Sequence, residues 1–184
     1  MNNKPDVVSD AQLDQMQGRE IFRTVYERYN MPPPSSDAIL DQIRNGDYTQ
    51  MSGAGGSAHG RAIYFATDYS DSAIYGHNEK NAMMMRAKLK PTANIRKETS
   101  LRRQMNNDLT WQNSRLQRQL TNKWSDDDMA LYAIAHGIDG WYDNTYTMMI
   151  NRGAMTASSR NKTIKSTLFK GGYASSWNEA EDAT

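Results

Sequence analysis

The chain has 184 residues, with 22 Lys and Arg against 21 Asp and Glu and a net charge of +1. That balance excludes a polybasic nucleic-acid coat or membrane-surface binder, both of which need a surplus of positive charge. Cysteine is absent, so disulfide frameworks, thiolate zinc sites and a cysteine nucleophile are excluded as well.

The histidines, His59, His77 and His136, are too scattered for a metal cluster, and no metal is expected. No apolar run approaches the ~20 residues of a membrane span. The polar N-terminus has no signal-peptide core. The expectation is a soluble cytoplasmic protein of one domain, residues 20–170, between an N-terminal arm and short helix (1–19) and a flexible tail (171–184).

In chain order, residues 1–9 read as a loose arm. Asp10 is placed to cap a short helix bearing Leu13 and Met16, with Gly18 to stop it. Residues 20–26 are β-branched and aromatic and predict a strand. Pro32, Pro33 and Pro34 make a rigid linker. Ser36 is read as the cap of a helix with Ile39, Leu40 and Ile43 on one face, ended by Gly46.

Gly53, Gly55, Gly56 and Gly60 lie among small polar residues, in a loop that is mobile or lets a ligand reach the backbone. Residues 61–66 predict a short strand and residues 70–75 a helical turn ended by Gly76. Over 82–90, Met83, Met85, Ala87 and Leu89 alternate with Met84, Arg86 and Lys88, the period of a half-buried strand.

The polar stretch 97–123 predicts a helix or helix pair with a thin stripe of Leu101, Met105, Leu109, Leu116 and Leu120. Ser125 and Asp128 resemble a capping box, opening a helix that runs to His136 and stops at Gly137. Residues 138–142 and 146–150 read as a hairpin about Asp143, Asn144 and Thr145. One more strand is expected within 154–169, and the tail from Gly171 reads as poorly ordered.

The chemistry concentrates after the glycine loop. A strand bearing Tyr64 and a short helix returning Tyr75 can hold two rings face to face, with a slot for a flat ring between them. A cationic ring in that slot adds a cation–π attraction, and the nicotinamide of NAD is such a ring. The alternative is a pair of core tyrosines with satisfied hydroxyls.

The run Gly60-Arg61-Ala62-Ile63-Tyr64-Phe65-Ala66, then Ser70, Ser72 and Tyr75, resembles the nicotinamide-binding strand and helix of ADP-ribosyltransferases. It is closest to the diphtheria-toxin and poly-ADP-ribose-polymerase branch. Phe22, Arg23 and Thr24 fall where the family places a His or Arg on its first strand. Residues 83–95 resemble the strand and turn after the motif. Asp139-Gly140-Trp141 and residues 146–152 resemble its late hairpin.

The resemblance covers roughly residues 20–157 and implies an α+β fold with a split β-sheet core, an NAD cleft and peripheral helices. It implies Arg23, Thr24, His59, Gly60, Tyr64, Phe65, Ser72 and Tyr75 as NAD-binding residues, and transfer of ADP-ribose to a macromolecular acceptor, a protein before a nucleic acid. The origin it suggests is bacterial or phage, as an effector, a toxin-like enzyme or a virion component.

Two departures stand out. Arg23 matches the arginine-targeting branch, yet the middle strand lacks that branch's Ser-Thr-Ser. The family's catalytic glutamate is missing, and Thr145, or else Asn144, takes its place with Asp143 nearby and Asp139 as a further carboxylate. Arg23, Tyr64, Thr145 and Asp143 are therefore the catalytic candidates, beside the alternative of an NAD-fold protein that has lost its chemistry.

Overall fold

The structure, a computed structural model, describes residues 4–27, 35–47, 62–77, 79–117, 126–164 and 176–182. In chain order they form β1 (Asp6–Val8), α1 (Asp10–Gln15), β2 (Glu20–Glu27), α2 (Ser36–Asn45), β3 (Ile63–Ala66), α3 (Tyr69–Ile74), β4 (Lys80–Leu89) and β5 (Ile95–Lys97). There follow α4 (Glu98–Asn107), α5 (Leu109–Gln117), α6 (Asp126–Ala135), β6 (Gly140–Tyr142), β7 (Tyr146–Met149), β8 (Met155–Thr163) and β9 (Glu181–Asp182).

The strands join in one sheet of order β1-β8-β4-β2-β3-β7-β6-β5, with β9 added to β8. β1 runs parallel to β8 and β5 parallel to β6, and the other pairings are antiparallel. The α+β class is as expected.

The sheet is continuous but nearly divided. β2 matches β4 from Glu20↔Lys88 to Glu27↔Lys80, and β3 matches β7 over its whole length. Between β2 and β3 a single pair, Phe22↔Ala66, is in register. A seam therefore separates the half-sheet β1-β8-β4-β2 from the half-sheet β3-β7-β6-β5.

Strand alternation sets the faces. Ile21, Val25, Ile63, Phe65 and Met85 pack under α2 as one core. On the other face, α4 and α6 cover β6 and β7 through Leu101, Met105, Met129 and Trp141. Beside them, Phe22, Met84, Ile164 and Trp177 form a third cluster against Tyr69 and Ala73 of α3.

Several sequence expectations need correction. Ser9, not Asp10, caps α1, with Gln12 closing a capping box, and the helix ends at Gln15, ahead of Gly18. Ser35 caps α2, which leaves Ser36 buried in the first turn, while Gly46 ends the helix in the left-handed region as expected. The arm is not loose throughout, because residues 6–8 add β1 to the sheet.

β4 is buried on both faces rather than one. Met84 is 0% and Arg86 4% exposed, because the C-terminal segment folds back over them. For the same reason part of the tail is ordered: Trp177 is 4% exposed and β9 pairs with β8.

Other expectations match. The polar stretch is a helix pair, α4 and α5, with Leu101 and Met105 buried, but Leu109, expected on the same apolar stripe, opens α5 and is 73% exposed. β6 and β7 form the late hairpin. A Cβ on Gly140 would lie 2.2 Å from the Met148 carbonyl oxygen, so the hairpin requires glycine there. The proline linker, the glycine loop with His59 and Gly60, Leu120 and Ser125 lie outside the described residues.

No helix among the described residues is long and apolar enough to cross a membrane.

Candidate functional site

The site candidates gather over the seam. Tyr64 leaves β3 on the face of α4 and α6. Tyr75 caps the C-terminus of α3, and its ring meets Tyr64 edge-on, with centroids 5.9 Å apart and planes at 71°. Tyr146, the first residue of β7, lies on Tyr64 at 5.5 Å and 33°. The rings thus touch one another, and the open slot expected between Tyr64 and Tyr75 is closed in this conformation. Tyr75 is 53% exposed and is the ring that can turn away.

Burial, then the hydrogen bond to Tyr75 and the charges of Tyr75, Asp71 and Asp143, pushes the Tyr64 phenol above its ordinary pKa. Tyr64 is therefore a neutral hydroxyl at physiological pH.

Arg23 sits on β2 between Phe22 and Thr24, and alternation sends it to the α2 face with Ile21 and Val25. Its guanidinium reaches the seam, where Nη1 donates to the Tyr64 carbonyl at 2.8 Å. That bond bridges β2 and β3 where the ladder has stopped. Arg23 is 8% exposed, and its Nε has no hydrogen-bond partner among the described residues. Burial pulls its pKa down to about 10, and among the described residues Tyr64 is the group that raises it and no carboxylate contributes. A cation held in this way is a poor structural bridge and a ready partner for an anion.

By contrast, Arg44 pairs with Asp41 at 3.0 Å and donates to the carbonyls of Ser158 and Arg160, which a register shift in β8 leaves unpaired by β4. Arg44 is a satisfied structural residue.

Thr24 and Ser72 meet hydroxyl to hydroxyl at 2.9 Å, joining β2 to α3 on the Tyr64 side of the sheet. Phe65 is fully buried in the core under α2, on the opposite face from Tyr64, so it packs and does not line the ring site.

At the hairpin tip, Asp143 Oδ1 accepts from Thr145 N at 2.7 Å, Thr145 Oγ1 at 3.1 Å and Tyr146 N at 3.3 Å. Its Oδ2 has no partner among the described residues. Thr145 is exposed at this tip, and Thr67 N donates to its carbonyl at 3.1 Å, tying the tip to the end of β3. Asp139, the other carboxylate considered, is occupied: Asn94 N and Asn151 Nδ2 donate to its two oxygens at 2.8 and 2.7 Å.

Comparison with protein-family models, with curated proteins and with solved structures gives no match.

The structure thus brings Tyr64, Tyr75, Thr24 and Ser72 together on one face. Arg23 approaches the backbone of Tyr64 from beneath, and Asp143 lies close enough for its charge to act on the Tyr64 phenol. His77 is exposed. His136 stacks on Tyr132 at 3.9 Å and takes no part in this cluster.

Sequence reasoning missed Tyr146 and Glu98. The Tyr146 hydroxyl donates to the Glu98 carboxylate, whose other oxygen accepts from Arg102 Nε at 2.7 Å. The four-residue spacing of Glu98 and Arg102 was legible as a helical ion pair, but the partner on β7 was not.

Proposed function

We propose that the chain is an NAD-dependent mono-ADP-ribosyltransferase that releases nicotinamide and transfers ADP-ribose to a macromolecular acceptor, a protein before a nucleic acid. The observation that carries this reading is Arg23, a buried guanidinium with no carboxylate partner among the described residues, bonded to the backbone of the tyrosine on which a nicotinamide ring would stack. A pyrophosphate or ribose oxygen reaching it through the seam would supply the acceptor that its Nε lacks among the described residues. Tyr64 offers the aromatic floor, and Tyr75 must turn outward to admit the ring.

In the transfer, the bond between C1′ of the ribose and the nicotinamide nitrogen breaks, and its electron pair leaves with nicotinamide. The acceptor's nucleophile forms the new bond to C1′ and gives up its proton. Asp143, with Oδ1 fixed by three donors and Oδ2 without a partner among the described residues, is the carboxylate best placed to answer the positive charge that develops on the sugar.

A second reading has its own support. Thr145 stands where the resemblance expects glutamate, and the Tyr64 and Tyr75 rings are closed on each other. Both favour a catalytically impaired relative that serves as a binding or structural component, for example of a virion. Action in a bacterial or host cytoplasm belongs to the first reading.

Incubating the protein with labelled NAD and a cell lysate separates the cases. Labelled acceptor bands support the transferase. Free nicotinamide without labelled acceptor indicates hydrolysis. Neither labelled acceptor nor free nicotinamide supports the impaired relative and overturns the transferase.

A further inference from the structure

Tyr146 is restrained at both ends. Its backbone N–H donates to Asp143 Oδ1 at 3.3 Å, and its hydroxyl donates to Glu98 Oε2. Glu98 belongs to the first turn of α4, and its side chain is 19% exposed. The topology makes this meeting possible. β5 pairs parallel with β6, with Lys97 opposite Tyr142, and runs directly into α4. The start of α4 therefore lies across from the hairpin tip, although Glu98 and Tyr146 are 48 positions apart.

A half-buried tyrosine with only a packing role needs no charged acceptor, and desolvating a carboxylate has a cost of its own. Here the carboxylate is spent on one phenol and one arginine, and that phenol's ring lies against Tyr64 with centroids 5.5 Å apart.

We propose that Tyr146 is a wall of the ring-binding site and that Glu98 is the positioning residue that holds it there. This rests on the reading of the site as one for NAD. When Tyr75 turns outward, Tyr64 and Tyr146 remain as a pre-set aromatic corner. A ligand ring entering it finds one wall already immobilised, so less side-chain freedom is lost on binding. The Glu98 carboxylate also draws electron density into the Tyr146 ring through the shared proton, which strengthens its attraction for a cationic nicotinamide.

The test is calorimetric titration of the full chain and its variants with NAD, at a temperature well below the unfolding midpoint. Tyr146→Phe and Glu98→Ala should each weaken NAD binding by roughly tenfold, the scale of one hydrogen bond to a charged group. The double variant should bind no worse than the weaker single, because both changes remove the same bond. Glu98→Gln, whose amide oxygen still accepts, should recover part of the loss.

A purely structural role would lower the melting temperature and leave the dissociation constant alone. If the parent binds NAD and both single variants bind it equally well, the bond from Tyr146 to Glu98 does nothing for the ligand and this inference falls, while the NAD reading stands. If the two losses add in the double variant, Glu98 does not act through Tyr146. If the parent itself fails to bind NAD, the site reading and this inference fall together.

Discussion

Burying the Arg23 guanidinium beside the Tyr64 carbonyl forfeits solvation that no carboxylate among the described residues restores. Stability and binding should therefore respond to it in opposite directions. Arg23→Met keeps an unbranched apolar stem and removes the charge, so its thermal midpoint should stay level or rise. Its affinity for NAD should fall by the ~1.5–3 kcal/mol of a charged hydrogen bond, and Arg23→Lys should restore only part, since a point charge cannot replace the planar fork. Calorimetry beside a melting curve reads both, and a Met variant that binds like the parent removes Arg23 from the site.

Thr145 is exposed and its hydroxyl is tied to Asp143. Thr145→Glu should raise nicotinamide release at least ~10-fold, because negative charge facing the sugar is the missing electrostatic contribution. Asp143→Asn keeps the turn-forming oxygen but not the charge, and should lower whatever basal release the parent has. A slower Thr145→Glu together with an unaffected Asp143→Asn would place the carboxylate elsewhere in the chain.

How far single residues were legible depended on distance along the chain. Tyr64 and Tyr75 meet through a strand and a short helix, so their contact could be anticipated. The resemblance of the run 60–66 assigns Phe65 to the site along with Tyr64, but neighbouring positions on a strand face opposite ways, and Phe65 is core. Glu98 escaped notice because its partner lies beyond a helix pair that carries no motif.

Among the elements, the two ends of the chain depend on each other. Arg86 emerges from β4 where the β4–β8 register shifts, and it binds Asp10 at 3.1 Å, Asp14 at 2.7 Å and Glu20 at 3.0 Å. Trp177 lies over its guanidinium at 5.1 Å, contacts Phe22, and donates Nε1–H to Asp10 at 3.3 Å. Trp177→Ala should destabilise the fold by ~3–5 kcal/mol, the usual range for a buried aromatic, measurable by denaturant unfolding. A loss below ~1 kcal/mol would mean that the segment is not anchored there.

Burial alone would raise the Asp10 pKa, but bonds from Ser158 and Trp177 and the Arg86 charge outweigh it and hold it below the ordinary 3.8. A depressed carboxylate stabilises the fold above its unfolded pKa, and that stability is lost as pH falls through the folded value. The parent should therefore lose stability from about pH 4 downward. Asp10→Asn should start less stable at neutral pH and show a flatter acid limb, and identical limbs would show that other carboxylates set the acid response.

At the scale of the whole molecule, class was easier to read than order. Alternation and helical spacing marked several elements, with the caps of α1 and α2 read one residue late, and the late hairpin followed from two apolar strands about a polar turn. The sheet order did not, because β1 pairs with β8 some 150 positions away, as in Asp6↔Thr156, and no local pattern encodes such a partner. The second covered face of β4 was hidden for the same reason, since its cover is Trp177.

The seam between β2 and β3 has a kinetic consequence. Sheets usually open as cooperative units bounded by their hydrogen-bond ladders. Among the described residues, one registered pair and one arginine bond join β2 to β3, whereas the ladders on either side hold several pairs each. Amide hydrogen exchange should accordingly resolve two opening units, one containing β4 and β8 and the other β3 and β7, each with its own response to denaturant. Arg23→Met, which cuts the stitch, should widen the difference between them, whereas a single shared opening would mean that packing across the seam transmits unfolding as effectively as a ladder does.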